Sequence, residues 1–185
     1  MQPLGTPAAR FALRDTVSGR IVALEDFASS PALLVAFICN HCPFVKHILD
    51  GFVAFAHEFG PRGLAVVAIS SNDVEAYPED APGEMSRIAQ LKAFAFPYLY
   101  DESQEVAKAY QAVCTPDFFL FDHDRRLAYR GQFDGSRPGN NIAVTGANLR
   151  AAAGALLRGS PMPPEQTPSV GCSLKWKAGQ QPDWV

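Results

Sequence analysis

An apolar run that leads directly into a CxxC motif constrains the fold of this chain more than any other feature. Residues 33–38 are all apolar, and a Cys-Asn-His-Cys motif follows at residues 39–42. Such a run predicts a strand that is buried on both faces, as in the centre of a helix-flanked sheet. Residues 43–59 then carry apolar side chains at helical spacing, until glycine and proline at 60 and 61 end the pattern. The two cysteines therefore lie where a buried strand passes into a helix.

The rest of the chain predicts an α/β domain around this unit. A second apolar run at residues 64–69 completes a βαβ unit, whose two strands run parallel. The loop at residues 70–73 then lies at the sheet edge where open α/β sheets bind ligands. Further patterns predict an N-terminal hairpin (residues 11–15 and 21–24), a loop over 77–83, an antiparallel pair (118–121 and 127–133), and helices over 85–94, 102–112 with Asp101 as N-cap, and 145–157. We expect an α/β fold with a central mixed β-sheet flanked by helices.

Composition limits the domain count and the partners. A chain of 185 residues with 48% hydrophobic residues is long enough for one sizeable core, which we assign to residues 1–159. Residues 160–185 are rich in Pro, Gln, Gly and Ser and predict an extended tail that packs on or near the domain. The net charge is −3 and the basic residues form no stripe along the sequence, so we expect no nucleic-acid partner. No apolar stretch is long enough to predict a membrane span, so we expect no membrane partner. The N-terminus lacks the features of a signal peptide, and we expect a cytoplasmic protein that is a monomer or homodimer.

The position of the CxxC motif predicts redox chemistry. A cysteine at a helix N-terminus gains from unpaired N–H groups and from the helix dipole, and the spacing places Cys39 there. Cys42 is expected about one turn further in and more buried, so Cys39 is predicted to attack and Cys42 to resolve. Asn40 and His41 lie between them and would tune the pair; His41 either lowers the thiol pKa of Cys39 or projects into solvent. Two other interpretations remain, namely a pair of inert buried thiols, and a metal site built from Cys39 and Cys42 with His41 or His47. Because a second closely spaced pair of ligands is missing, we expect no metal and no cofactor.

With the hairpin, the strand–CxxC–helix unit and the Thr115-Pro116 step, the sequence resembles the thioredoxin-like superfamily, and within it the redoxin branch of alkyl hydroperoxide reductase/thiol-specific antioxidant proteins. The resemblance implies a thioredoxin-like fold and an antioxidant or oxidoreductase function. It also implies that Pro116 is a cis-proline opposite the CxxC motif, and that Thr115 offers its backbone to an extended substrate. The alternative for Pro116 is an ordinary trans turn.

One departure from the family pattern affects the predicted activity. Peroxiredoxins share a PxxxTxxC motif, whereas the corresponding positions before Cys39 are Ala32 and Ala36. The sequence therefore favours a thiol–disulfide oxidoreductase, with a thiol peroxidase as the second choice. From a different class, a metal-binding or chaperone-like module would use the same thiols. The expected partners are a protein or small-molecule disulfide or thiol and a reductant of unspecified identity.

Two further cysteines are candidate redox thiols. Cys114 precedes Pro116 by two residues, but a small buried thiol beside a strand is more commonly a packing residue. Cys172 lies in the tail, which has few core-forming residues that would explain a cysteine by packing. It could act as an additional resolving thiol that reaches Cys39 or pairs with Cys114.

Overall fold

The computed structural model describes residues 2–163 and 166–184 of the chain. In chain order its elements are β1 (Ala12–Asp15), β2 (Ile21–Ala23), β3 (Ala32–Phe37), α1 (Pro43–Phe59), β4 (Leu64–Ser70), α2 (Pro82–Leu91), β5 (Tyr98–Tyr100), α3 (Glu105–Tyr110), β6 (Cys114–Thr115), β7 (Asp117–Phe121), β8 (Leu127–Gly131), α4 (Ala147–Leu157) and β9 (Cys172–Ser173). Seven strands form one sheet in the order β2-β1-β5-β4-β3-β7-β8, and β6 pairs with β9 separately. The predicted α/β fold, with a mixed sheet flanked by helices, is confirmed.

The strand β3 lies near the centre of the sheet, parallel to β4 and antiparallel to β7. All six of its residues are buried. Because side chains alternate along a strand, Leu34 and Ala36 pack on the α1 side, while Leu33, Val35 and Phe37 pack on the opposite side with α3. Both faces are covered, which explains why the sequence of this strand is an unbroken apolar run.

The helix α1 has the bounds predicted from its periodicity. Cys42 is its N-cap, in an extended conformation, and Pro43 occupies the first helical position, where its missing N–H costs nothing. The buried side of α1 meets the sheet mainly through aromatic side chains, and the Phe52 ring lies 5.3 Å from the rings of both Phe96 and Phe118. This packing holds the N-terminus of α1, and therefore Cys42, in a fixed position after β3.

Two helices and three short strands, β5, β6 and β9, differ from the sequence prediction. The predicted 77–83 loop contains a short 3-10 turn, Pro78–Asp80, and α2 begins at Pro82 rather than at residue 85. The helix α3 is shorter than predicted, because Gln104 rather than Asp101 is its N-cap. Asp101 is buried and still accepts the N–H of Ala107 at 3.0 Å from outside the helix. The strands β5, β6 and β9 are absent from the prediction, since two or three residues are too few to show a period.

The C-terminal tail crosses the sheet at the end where the CxxC motif lies. Its Thr167 carbonyl accepts the N–H of Gln132 at 3.0 Å, and β9 pairs antiparallel with β6. Leu174 is 4% exposed and belongs to the α3-side core. Further on, Lys175 donates its N–H to Asn72 and accepts the N–H of Asp73. Within residues 2–163 and 166–184, no helix combines the length and the apolar character that crossing a membrane requires.

Candidate active site

The two cysteines of the motif lie side by side at the junction of β3 and α1. Cys39 is 1% exposed and Cys42 is 0% exposed. Thr115 contacts both sulfurs: its Oγ1 lies 3.3 Å from Cys39 Sγ, and its carbonyl oxygen lies 3.2 Å from Cys42 Sγ in the geometry of a thiol donor. The peptide bond between Thr115 and Pro116 is cis, as the resemblance implied.

The backbone of Thr115 is not free to receive an external strand. The structure pairs Thr115 with Cys172, so β9 of the tail occupies the edge that the sequence analysis assigned to a substrate. Gly171 lies so close to this edge that a Cβ atom there would overlap the Thr115 carbonyl group. The sequence expectation is corrected on this point, because the tail supplies the β-augmentation internally.

A buried carboxylate, Asp80, holds the middle of the CxxC motif. One of its oxygens accepts the backbone N–H groups of Asn40 (2.7 Å) and His41 (3.0 Å). The other lies 2.5 Å from Nδ1 of His41 and accepts the side-chain amide of Asn72 at 2.8 Å. Asp80 is 0% exposed, so these contacts replace all its hydration. Sequence reasoning missed Asp80, since one acid in a Pro- and acid-rich loop gives no signal of its own.

His41 does not project into solvent, and its ring lies against both Asp80 and Cys39. Its ring stacks on Tyr77 with centroids 4.8 Å apart, and its Nδ1 faces Asp80. Nδ1 also lies 3.8 Å from Cys39 Sγ. The much shorter distance to Asp80 makes this carboxylate the main partner of a proton on Nδ1, and the Cys39 sulfur the second one.

Asn40 is fixed by its side chain. Its Nδ2 donates to the Glu79 carbonyl at 2.9 Å, and its Oδ1 accepts the hydroxyl of Tyr98 at 3.2 Å. The segment around Asp80 therefore binds both middle residues of the motif, which orients the CxxC turn rather than leaving it free to adjust.

The two thiols shift each other's pKa in opposite directions. The hydrogen bond with Cys42 raises the pKa of Cys39, and burial and the negative charge of Asp80 raise it further. The pKa of Cys42 is lowered to about 4, first by the hydrogen bond from Cys39 and then by contacts from Cys172 and the N–H of Val45 in the first turn of α1. The directions of the two shifts make Cys42 the more acidic thiol of the pair. When Cys42 is protonated, its thiol donates a hydrogen bond to the Thr115 carbonyl oxygen at 3.2 Å.

The other two cysteines have different surroundings. Cys114 is buried, its pKa is raised to about 12 by burial, and its thiol lies 3.7 Å from the Pro116 carbonyl. Cys172 is partly exposed, packs against the core cluster that contains Cys39 and Cys42, and lies opposite Thr115 in the β6–β9 pair. The structure thus places Cys172, and not Cys114, against the CxxC pair.

The metal interpretation has one geometric basis. In the described parts of the chain, one group of three metal-ligating side chains comes together, with the ligand atoms of Cys39, His41 and Asp80 within 4.8 Å of one another. Each oxygen of Asp80 already has two hydrogen-bonding partners, which a metal ion would displace. The role we assign to Asp80 is therefore to hold the CxxC turn in place. His47, the other candidate ligand, pairs with Ser136 at 2.7 Å.

A cavity of about 190 Å³ lies on the α2 side of the motif. Cys39 and Asn40 contribute to its wall, together with apolar side chains that include Leu49 and Phe94, and Lys46 and Lys92 are its basic residues. Cys42 does not line it. A small molecule in this cavity would therefore meet Cys39 first.

The AhpC/TSA family model matches residues 4–130. The chain belongs to this family. This redoxin resembles an uncharacterized conserved protein from Geobacillus kaustophilus (55% identity over 96% of this chain and 94% of that one, TM-score 0.94) and a hypothetical protein from Sinorhizobium meliloti 1021 (52% identity, 97% of both chains, TM-score 0.95). No curated protein sequence is detectably similar to it.

More distant structures share the fold of this redoxin. Peroxidoxin BcpB from Mycobacterium tuberculosis is 20% identical, with 86% of this chain and 98% of that one covered at a TM-score of 0.63. A thiol:disulfide interchange protein from Chlorobium tepidum TLS is 16% identical, with 85% and 99% covered at a TM-score of 0.65. The family and the fold identify a redoxin of the oxidoreductase type with thioredoxin-like architecture.

Proposed function

We propose that this redoxin is a thiol–disulfide oxidoreductase in which Cys39 and Cys42 alternate between a dithiol and a disulfide. The observation that carries the proposal is the contact of Thr115 with both sulfurs, which provides a hydroxyl for Cys39 and a carbonyl acceptor for Cys42. An inert pair of buried thiols would need neither group. The partners are those expected from the sequence, a disulfide or thiol substrate and a separate reductant.

The geometry supports a two-step exchange. Cys39 borders the cavity, so its sulfur attacks the substrate disulfide while its proton passes to Cys42. The protonated Cys42 thiol then donates a hydrogen bond to the Thr115 carbonyl. The first substrate thiolate leaves, and Cys39 carries a mixed disulfide. Cys42 then gives its proton to that thiolate and attacks Cys39 Sγ, which expels the second thiolate and closes the Cys39–Cys42 disulfide. One substrate disulfide is reduced and one dithiol is oxidised, and the reverse sequence runs when the partner is a dithiol.

A protein that retains only these two cysteines tests the proposal. In the Cys114→Ser/Cys172→Ser protein, the tryptic peptide 21–46 contains both remaining thiols. After equilibration in glutathione buffers of increasing ratio, acid quenching and alkylation, this peptide should convert between an alkylated dithiol and an internal disulfide in one reversible two-electron transition. A peptide that stays doubly alkylated in every oxidising buffer would exclude the function. Trapping with Cys42→Ser would then identify the substrate as a mixed disulfide on Cys39.

Thiol peroxidase is the second candidate, favoured by the family and by the Thr115 hydroxyl at 3.3 Å from Cys39 Sγ. That hydroxyl takes the place of the threonine missing three residues before Cys39. Against it, Asp80 acts on Cys39 with a negative charge that opposes the thiolate a peroxide requires. Stopped-flow mixing of the reduced protein with hydroperoxide decides between the candidates, since only a peroxidase oxidises Cys39 much faster than a free thiol.

A further inference from the structure

The tail delivers a third thiol to the CxxC pair. β9 places Cys172 opposite Thr115, whose carbonyl oxygen lies 3.2 Å from Cys42 Sγ, and Cys172 packs against the core cluster that contains Cys39 and Cys42. Side chains that lie directly opposite in an antiparallel pair share one face, so Cys172 lies on the face from which the Thr115 hydroxyl meets Cys39. Gly171 allows this approach because it has no side chain to collide with the Thr115 carbonyl group. The register of β9 and the glycine before it thus bring the backbone of Cys172 against the residue that contacts both sulfurs of the CxxC pair.

Several contacts on either side hold this arrangement. Before β9, the hydroxyl of Ser169 donates to the Gly131 carbonyl at 2.8 Å. After it, the Gln104 amide donates to the Lys175 carbonyl at 2.9 Å, and the Gln104 carbonyl accepts the N–H of Lys177 at 2.9 Å. The tail is thus anchored upstream and downstream of Cys172, which limits the freedom of its thiol.

Solvent access distinguishes Cys172 from the other thiols. Cys39, Cys42 and Cys114 are all buried, whereas Cys172 is partly exposed. The cavity reaches Cys39 but neither Cys42 nor Cys172, and Cys172 approaches the pair with the tail, opposite Thr115. The pair therefore has two approaches, one on each side.

We infer that Cys172 is a third redox-active thiol, which converts the Cys39–Cys42 disulfide into a Cys42–Cys172 disulfide. The external reductant then acts on this second disulfide and not on the Cys39 side of the pair. The inference rests on the proposed function. The Cys172 thiolate attacks Cys42 Sγ, the Cys39–Cys42 bond breaks, the Cys42–Cys172 bond forms, and the Cys39 thiolate leaves and takes up the proton that Cys172 lost. No net oxidation occurs. A small thiol reductant, such as glutathione, then reduces the partly exposed Cys42–Cys172 bond in two exchanges, and Cys39 is already free for the next substrate.

The charges around Cys172 favour this order of events. In the reduced protein the pKa of Cys172 is raised to about 11 by burial first, and then by its hydrogen bond with Cys42 and the charge of Cys42. Once Cys42 is in a disulfide it carries no charge, so both of those contributions disappear while the opposing effect of Lys175 remains. Cys172 becomes easier to ionise at the stage at which it has to attack.

Matched two-cysteine proteins test the inference. The Cys39→Ser/Cys114→Ser protein retains only Cys42 and Cys172, which fall in tryptic peptides 21–46 and 159–175. After mild oxidation with glutathione disulfide, non-reducing mass mapping should show these two peptides linked, and the yield should not change on dilution, because the thiols are neighbours in one chain. The control retains Cys42 and Cys114 (Cys39→Ser/Cys172→Ser) and should give no link between peptides 21–46 and 109–125.

The outcomes separate this inference from the proposed function. If the Cys39–Cys42 pair cycles normally but no Cys42–Cys172 link forms, the inference fails and the function stands. If the Cys39–Cys42 pair never oxidises, the function itself fails. In the wild-type protein, limiting oxidation should give both the internal 21–46 disulfide and the 21–46/159–175 link, and Cys172→Ser should slow glutathione-dependent re-reduction. Equal re-reduction rates in the wild-type and Cys172→Ser proteins would overturn the role of Cys172.

Discussion

Replacing Asp80 with asparagine separates the electrostatic role of this residue from its structural role. Asn has nearly the same shape, and its one oxygen can still accept the N–H groups of Asn40 and His41. Its amide nitrogen, however, would face two donors, the amide of Asn72 and the ring N–H of His41. Asp80→Asn therefore removes a buried negative charge and two hydrogen bonds while it leaves the CxxC turn attached.

The expected magnitudes follow from the distances. The Cys39 sulfur and the Asp80 carboxylate lie within 4.8 Å, and two unit charges at that separation repel by about 3.5 kcal/mol at an effective dielectric constant near 20. The charge of Asp80 raises the pKa of Cys39, so Asp80→Asn should lower it, by at most the equivalent of this energy. Losing hydrogen bonds to a charged acceptor should also reduce the free energy of unfolding by about 1.5–3 kcal/mol per bond.

The pKa is best measured in the Cys114→Ser/Cys172→Ser background, where only the CxxC pair titrates. Ultraviolet absorbance of the thiolate against pH gives the two apparent pKa values of the pair, and the higher one should fall in Asp80→Asn. Urea unfolding of the same proteins gives the stability change. The matched control is Glu79→Gln, which removes the neighbouring acid; because Glu79 is exposed, solvent screens its charge and both quantities should change little.

Two results would refute this reasoning. If Asp80→Asn destabilises the fold but leaves both apparent pKa values unchanged, Asp80 acts only as a clamp for the CxxC turn. If the higher pKa rises, the dominant effect is a displacement of the thiols, and the Coulomb argument has the wrong sign.

Three further predictions concern the tail and the core. Gly171→Ala should detach β9 and increase the alkylation rate of the CxxC pair, whereas Gly135→Ala, with no atom within 4 Å of the added Cβ, should not. Phe52→Ala, in the centre of the aromatic core, should cost about 3–5 kcal/mol in urea unfolding. Burial raises the pKa of Asp117 above its ordinary value of 3.8. The stability that Asp117 contributes is therefore present below pH 3.8 and is lost as the pH rises through its pKa in the folded protein. In an Asp117→Asn protein that keeps Arg130, the free energy of unfolding should fall less steeply with pH above about 3.8.

The parts of the fold that were predictable from sequence are those that local patterns determine. The β3–α1 unit needs a continuous apolar run followed by a helical period, and both are visible within residues 33–59. Where only a few residues contribute, as in β5, no period exists to detect. The start of α3 was misplaced for a related reason: Asp101 does cap the helix, but it does so from outside through Ala107, and sequence spacing alone suggested that it was the N-cap itself.

The candidate site shows the same division between local and long-range information. The strand-to-helix position of the cysteines is local, and it indicated the redox pair. The distribution of charge on that pair is not local, because it depends on Asp80 and on the tail, which approach from distant parts of the chain. The sequence analysis placed Cys39 at the N-terminus of α1, whereas in the structure Cys42 is the N-cap and Cys39 lies three residues before the helix cap. Asp80 beside Cys39 and the tail with Cys172 act unequally on the two thiols, so these two residues are the ones whose replacement should redistribute the proton between them.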